Sequence, residues 1–260
     1  MSAGPPEGID GVELECVGSD VGPLWFPVTD DVMRPYIADR GTWEATEGEL
    51  LSQFFRPGLR FLDVGANVGY FSRFVLRHCP DAQVDACEPH PFTYRLLRLN
   101  LWQAGGLART WPTALGAGER IAALSTSASN LGDTRSCMQH LEGTHSDLVA
   151  PSIAADELFS GQVFDLVKID VQGAEPQVIA GMRDLIDRSR GIAIVAEFWP
   201  TSLRAAGVDP LGVLAQYRAM GLRIVTQVGR RLSVLPAAET VEICDSGGPD
   251  GQVNLLLVHE

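Results

Sequence analysis

Residues 60–64 (Arg-Phe-Leu-Asp-Val) are mostly apolar and run without a break into Gly65-Ala-Asn-Val-Gly69, after which helical spacing begins. A buried strand that turns on glycine directly into a helix is the first half of a β–α unit. Such units build parallel sheets covered on both faces. The rest of the chain is expected to follow that frame. Residues 83–87 read as a second strand, followed by a helix over 91–103 that opens on proline. Residues 109–115 are a third strand, 164–169 a fourth with a helix over 176–188, and 191–198 a fifth. A helix within 211–220 leads to strands at 222–227 and 253–259. No helical pattern stands out between those two, so the last strand is predicted to be antiparallel. The expected fold is α/β, a mostly parallel seven-stranded sheet with helices on both faces.

Ahead of this frame, residues 46–55 (TEGELLSQFF) carry Thr46 with Glu49 three positions on, a capping pattern for a short amphipathic helix. Residues 1–40, with many Gly and Pro, are expected to form an arm, or short strands, laid over a single domain of residues 41–260. Residues 116–155 interrupt the alternation with Ser, Thr, Asn and Gly, and predict a covering hairpin or a substrate loop inserted in that domain.

The chain has 260 residues, 45% of them hydrophobic, enough for one sizeable core. Its net charge of −13 repels a phosphate backbone, so a small-molecule substrate is expected and nucleic acid is not. Five cysteines (Cys16, Cys79, Cys87, Cys137, Cys244) form no C-x-x-C pair, which reads as reduced thiols in the cytoplasm. No leader pattern opens the chain, and no apolar run approaches the ~20 residues of a membrane span. No membrane partner is expected. The oligomeric state is unread, a homodimer being one option.

The glycine turn poses the question of its ligand. Glycine lets the backbone pass close to a bound molecule, and the helix that follows offers unpaired N–H groups. A dinucleotide fingerprint has glycine where Asn67 stands, and a phosphate loop has a Gly-Lys-Ser/Thr sequence that is absent here. Asp63, just before the turn, repels a pyrophosphate but accepts hydrogen bonds from an ammonium group. The second strand ends in Cys87-Glu88-Pro89, and a carboxylate there can hold both hydroxyls of a ribose. S-adenosylmethionine has the ammonium and the ribose and lacks the phosphate.

Asp63-Val-Gly-Ala-Asn-Val-Gly-Tyr70, the later Glu88-Pro89, and above all Val167-Lys-Ile-Asp-Val-Gln-Gly-Ala-Glu175 resemble the FkbM family of S-adenosylmethionine-dependent methyltransferases. Gly41-Thr-Trp-Glu44 also resembles that family's lead-in, and the resemblance runs from roughly Gly41 to Trp199. It implies a class I, Rossmann-like methyltransferase fold and O-methylation of a small molecule such as a sugar or secondary metabolite. Carried over residue by residue, Asp63, Gly65, Ala66, Asn67 and Gly69 would line the methionine end of the cofactor. Glu88, with Pro89, would hold the ribose, and Ala114 and Leu115 would lie near the adenine.

A hydroxyl nucleophile has to lose its proton, so a general base is expected. Asp170, at the end of the fourth strand, is the leading candidate, with capping of the next helix as its structural alternative. Glu197 ends the fifth strand beside it. Two acids at neighbouring strand ends would suit a divalent ion, but the further oxygen ligands of a hard cation are not evident and no metal is assigned. His145 in the insert is the preferred histidine base, ahead of His140 and His90. Glu175 is expected in a first helical turn, and Lys168 needs a partner if it is buried. Trp43, Phe198 and Trp199 would wall a pocket or join the core. Competing readings are a nicotinamide-dependent oxidoreductase, against which Asn67 and the lack of a Tyr-x-x-x-Lys pair count, and a non-catalytic cofactor- or partner-binding domain.

Overall fold

The computed structural model describes residues 8–9, 11–125, 135–136 and 148–259. The chain opens with a three-stranded antiparallel sheet, β1 (Gly8–Ile9), β2 (Val12–Val17) and β3 (Leu24–Pro27). Leu24 and Phe26 of β3 are fully buried in the same apolar cluster as Phe61, Val75 and Leu96. Helix α1 (Met33–Arg40) buries Met33 and Ile37 and starts where Asp30 Oδ1 accepts from the amides of Val32 and Arg34, both at 3.0 Å. Helix α2 (Ala45–Ser52) follows. Its N-cap is Glu44, held in the left-handed region at φ 42°, so the expected Thr46 cap is not formed.

The β–α alternation then begins with β4 (Arg60–Val64), α3 (Tyr70–His78), β5 (Gln83–Cys87), α4 (Pro91–Leu101) and β6 (Ala108–Trp111). Beyond β6 the chain leaves the main sheet. A smaller sheet of β7 (Ala114–Leu115), β8 (Ile121–Ser125), β9 (Arg135–Ser136) and β10 (Leu148–Ile153) is ordered β7-β10-β8-β9. The short helix α5 (Ala155–Leu158) leads back to β11 (Leu166–Ile169), α6 (Glu175–Ala180), α7 (Arg183–Arg188) and β12 (Ala193–Phe198). After these come α8 (Pro200–Ala205), α9 (Pro210–Ala219), β13 (Leu222–Val228), β14 (Arg231–Ser233), α10 (Ala237–Ser246) and β15 (Val253–His259).

The main sheet is ordered β14-β13-β15-β12-β11-β4-β5-β6. The pairings from β12 through β11, β4 and β5 to β6 are all parallel, while β15 is antiparallel to both neighbours. The seven expected strands are therefore present with the last one reversed, and β14 adds an eighth as a hairpin on β13. Alternate residues feed opposite faces. Phe61, Leu166 and Val195 join one apolar cluster; Leu62, Val167 and Ile194 join the other.

Three further expected features differ. The strand over 109–115 is broken: Ala108–Trp111 pairs in the main sheet, and Ala114–Leu115 pairs with β10 in the smaller one. The helix over 176–188 is split into α6 and α7 at Gly181–Met182, where a Cβ on Gly181 would run into the Gly116 carbonyl oxygen. The segment between the last two predicted strands contains α10, which buries Thr240, Val241 and Cys244. Among the described residues no helix is long and apolar enough to cross a membrane.

Strand order places the site. From β4 the chain winds outward through β5 to β6, then returns to the other side of β4 with β11 and β12. The carboxyl ends of β4 and β11 flank this switch point, where open α/β sheets leave a crevice for ligands.

Candidate active site

At the end of β4, Gly65 (φ 78°) and Gly69 (φ 89°) adopt conformations that favour glycine, with Asn67 between them at φ 51°. A Cβ on Gly65 would run into the Asp170 carbonyl oxygen, so glycine lets the turns after β4 and β11 touch. The amides of Gly65 and Ala66 donate to the Cys87 carbonyl at 3.0 and 2.9 Å, tying the turn to the end of β5. Glu88 completes that join: Oε2 accepts from the Asn67 amide at 3.0 Å and Oε1 from the His90 amide at 2.8 Å. Burial raises the Glu88 carboxyl to about 7, against the opposing pull of those two amides.

A cavity of about 350 Å³ lies over these strand ends. Its lining follows the sheet order. Ala114 and Leu115 come after β6, Glu88 and Pro89 after β5, and Gly65, Ala66 and Asn67 after β4. Asp170 and Gln172 follow β11, and Glu197 and Trp199 come at the end of β12. Met33, Trp43 and Glu44, from the segment before β4, also line it.

The β11–β12 end is rich in acids. Asp170 Oδ2 accepts from Lys168 Nζ at 3.1 Å and Oδ1 from Gln172 Nε2 at 2.8 Å. Gln172 Nε2 also donates to Glu197 Oε2 at 3.1 Å, so one amide bridges the two acids. Lys168 is 2% exposed, and its Nζ lies 4.7 Å from the centre of the Phe71 ring. Burial opposes its charge, but the carboxylates of Asp170, Glu47, Asp63 and Glu44 outweigh burial and hold it as an ammonium. Glu197 is pushed well above the usual carboxylate range by burial and then by Asp170 and Glu175. Glu44 and Glu47 are raised as well, in each case chiefly by burial. They line a second recess of about 170 Å³ that shares Glu44, Asp170, Glu197 and Gln252 with the main cavity.

Three non-glycine residues have positive φ among the described residues: Glu44 (42°), Asn67 (51°) and Gln172 (57°). All three line the cavity. Backbone strain of about 1–3 kcal/mol per residue persists where surrounding structure imposes it, and here it is concentrated at one place.

The other expected residues fall as follows. Asp63 lies beneath the turn at 1% exposure and accepts from Ser72 Oγ at 2.6 Å; neither it nor Gly69 lines the cavity. Burial raises Asp63, with Lys168 and Ser72 acting against it. His90 is the N-cap of α4, where Nδ1 accepts from the Thr93 amide at 3.3 Å. Glu175 accepts from the amides of Val171 and Gly173, which makes it a brace for the turn after β11. Trp43 and Trp199 line the cavity, whereas Phe198 is a core residue. His140 and His145 lie outside the described residues. Sequence reasoning assigned no role to Glu44 or Gln172. The first was signalled only by its place in Gly41-Thr-Trp-Glu44, the second only by lying between Asp170 and Gly173.

The donor set fits S-adenosylmethionine. An acid stands at the end of β5, the turn after β4 brings its backbone to the cavity, and the buried Asn67 Oδ1 has no hydrogen-bond partner from the protein. Among the described residues no three His, Cys, Asp or Glu side chains are grouped as a metal site requires.

A family model described as the methyltransferase FkbM domain matches residues 63–214. No curated protein sequence matches the chain. Among solved structures, the chain is similar to the O-methyltransferase TomG from Streptomyces achromogenes, involved in tomaymycin synthesis. Identity is 16%, coverage 89% of this chain and 88% of that one, and the TM-score 0.46. A TehB-like S-adenosylmethionine-dependent methyltransferase from Corynebacterium glutamicum is 12% identical, with 87% and 94% covered and a TM-score of 0.47. Precorrin-6y C5,15-methyltransferase from Geobacter metallireducens is also 12% identical, with 83% and 86% covered and a TM-score of 0.45.

Proposed function

Since the chain belongs to the FkbM methyltransferase family, we propose that it moves a methyl group from S-adenosylmethionine to a hydroxyl of a small molecule. The observation that carries this reading is that one cavity joins the Gly65–Asn67 turn and Glu88 to the acids Asp170 and Glu197. A volume of about 350 Å³ is at the scale of small-molecule sites. Family membership sets aside the nicotinamide-dependent oxidoreductase.

When bound, the cofactor supplies a methyl group on a sulfonium, which is already a good leaving group. The protein's task is to hold the acceptor in line, keep water out and take one proton. Glu88, with Pro89 beside it, would accept from the ribose hydroxyls. Gly65, Ala66 and Asn67 would receive the methionyl end, with Asp63 and Gly69 supporting the turn, and Ala114 and Leu115 would flank the adenine. Trp43 and Trp199 shield the acceptor. On transfer, the acceptor hydroxyl would give up its proton to one of the carboxylates at this end of the cavity. Asp170 has both oxygens engaged by Lys168 and Gln172, which suits it to orienting the acceptor. Glu197, joined to Asp170 through the one Gln172 amide, is the acid placed to take the proton. His145 is a further candidate in the insert.

S-adenosylhomocysteine should bind the purified protein in a calorimeter, and radiolabelled S-adenosylmethionine should label a hydroxylated metabolite in an acceptor screen. No binding of either S-adenosyl compound sinks the reading. With that acceptor, Glu197→Gln should lose activity at least ~100-fold while retaining S-adenosylhomocysteine affinity. Undiminished turnover moves the base to another residue.

A further inference from the structure

Val68 stands in the turn after β4 and is fully buried, and its carbonyl oxygen accepts from Asn100 Nδ2 at 2.8 Å. Asn100 belongs to α4 and is 3% exposed. The same Nδ2 donates to the Trp25 carbonyl at 3.2 Å, while Oδ1 accepts from the Trp25 amide at 2.7 Å. A primary amide has two donor hydrogens and one acceptor oxygen, and all three serve backbone groups here. Asn100 grips both polar groups of Trp25 as a neighbouring strand would, and passes that hold to the turn.

Other contacts reinforce the junction. Leu97, three residues earlier on α4, approaches Gly69 so closely that a Cβ there would lie 2.8 Å from Leu97 Cδ1. Arg73 of α3 donates from Nη1 to the Asn100 carbonyl at 2.9 Å and from Nε to the Val21 carbonyl at 3.2 Å. The Tyr70 hydroxyl donates to Asp20 Oδ1 at 2.9 Å. Asp20, Val21 and Trp25 all precede the family-matched stretch 63–214.

We propose that Asn100 is a positioning residue for the cofactor, fixing the Gly65–Gly69 backbone against the N-terminal sheet before anything binds. This inference rests on the reading that the turn receives S-adenosylmethionine. A turn ordered in advance loses little freedom when its ligand arrives, whereas a loosened turn must be ordered at the expense of affinity. Asn100 does not itself line the cavity, so its effect passes through the Val68 carbonyl.

Two variants separate this role from simple stabilisation. Asn100→Asp keeps an acceptor for the Trp25 amide and removes the donor to Val68; Asn100→Ala removes both. Calorimetry with S-adenosylhomocysteine, well below the melting temperature of each variant, should show affinity about tenfold weaker, the equivalent of one lost hydrogen bond to a buried group. Wild-type affinity in a folded variant overturns the proposal even if that variant melts earlier, because Asn100 is then only a stabilising residue. If neither variant folds, the wild-type protein decides by NMR. The Asn100 side-chain amide protons should exchange slowly with solvent and shift when S-adenosylhomocysteine is added. Rapid exchange or unmoved resonances overturn it. Failure of the wild-type protein to bind the ligand at all brings down the cofactor reading, and this inference with it.

Discussion

Glu88 carries the sharpest consequence at the scale of single residues. Its carboxyl titrates at about 7 in the folded protein against an ordinary 4.5, chiefly because it is buried. A raised acid binds more protons folded than unfolded between those values, so its contribution to stability falls as pH rises from 4.5 to about 7 and is flat above. The full difference is on the order of 3 kcal/mol. Glu175 is also raised to about 7 and titrates in the same window, so a variant has to be compared with wild type to isolate Glu88. Melting curves across that range should show a shallower loss of stability in Glu88→Gln than in wild type, and an unchanged slope contradicts the assignment. On the proposed ribose role, binding has the opposite dependence. Ribose hydroxyls donate best to the ionised acid, so S-adenosylhomocysteine affinity should rise through pH 7, and Glu88→Gln should remove that rise. The place of Glu88 was legible in the sequence because it depends on local order: a strand, an acid at its end, and a glycine turn before it. Glu44 was not, because only the fold brings it to the ends of β11 and β12.

Among the elements, β15 is the most exacting. It is the last strand in sequence, yet it lies between β12 and β13 and pairs with both. Leu255 and Leu257 are fully buried in one core cluster. Leu257→Ala should cost about 2–5 kcal/mol by denaturant unfolding, and a cost below ~1 kcal/mol would show that this part of the core can collapse around the gap. The reversed direction of β15 was predictable because no clear crossover helix was seen before it. The structure keeps the direction and changes the reason: α10 is present, but β14 turns the chain back before it. Its sequence hid it, since Thr240 and Cys244 share its buried face with Val241 and dilute the apolar stripe. The division of α6 from α7 was hidden differently. A glycine within a helical pattern shows no cause, and the Gly116 carbonyl that crowds Gly181 is far away in sequence.

For the molecule as a whole, residues 11–40 are integral to the core. Leu24, Phe26 and Ile37 are fully buried in the cluster that contains Phe61 and Leu96. Removing residues 1–40 should expose that surface, lower the melting temperature by ten degrees or more (roughly 2–4 degrees per kcal/mol lost) and raise binding of a hydrophobic dye. A truncated chain that melts with the intact protein would show that this packing contributes little. These contacts were not legible in the sequence, where the segment shows many Gly and Pro and no strong period. The closing residues matter in the same way. Glu44 and Gln252 line one cavity, Gln227 Nε2 donates to the Thr46 carbonyl at 2.8 Å, and β15 fills a gap between strands made earlier. A chain emerging from the ribosome therefore has its glycine turn early but gains a closed site only after translation has passed Gln252. Binding competence arrives in one late step. A product of premature termination would be an open sheet with two unsatisfied edges, prey for proteases and not a feeble enzyme.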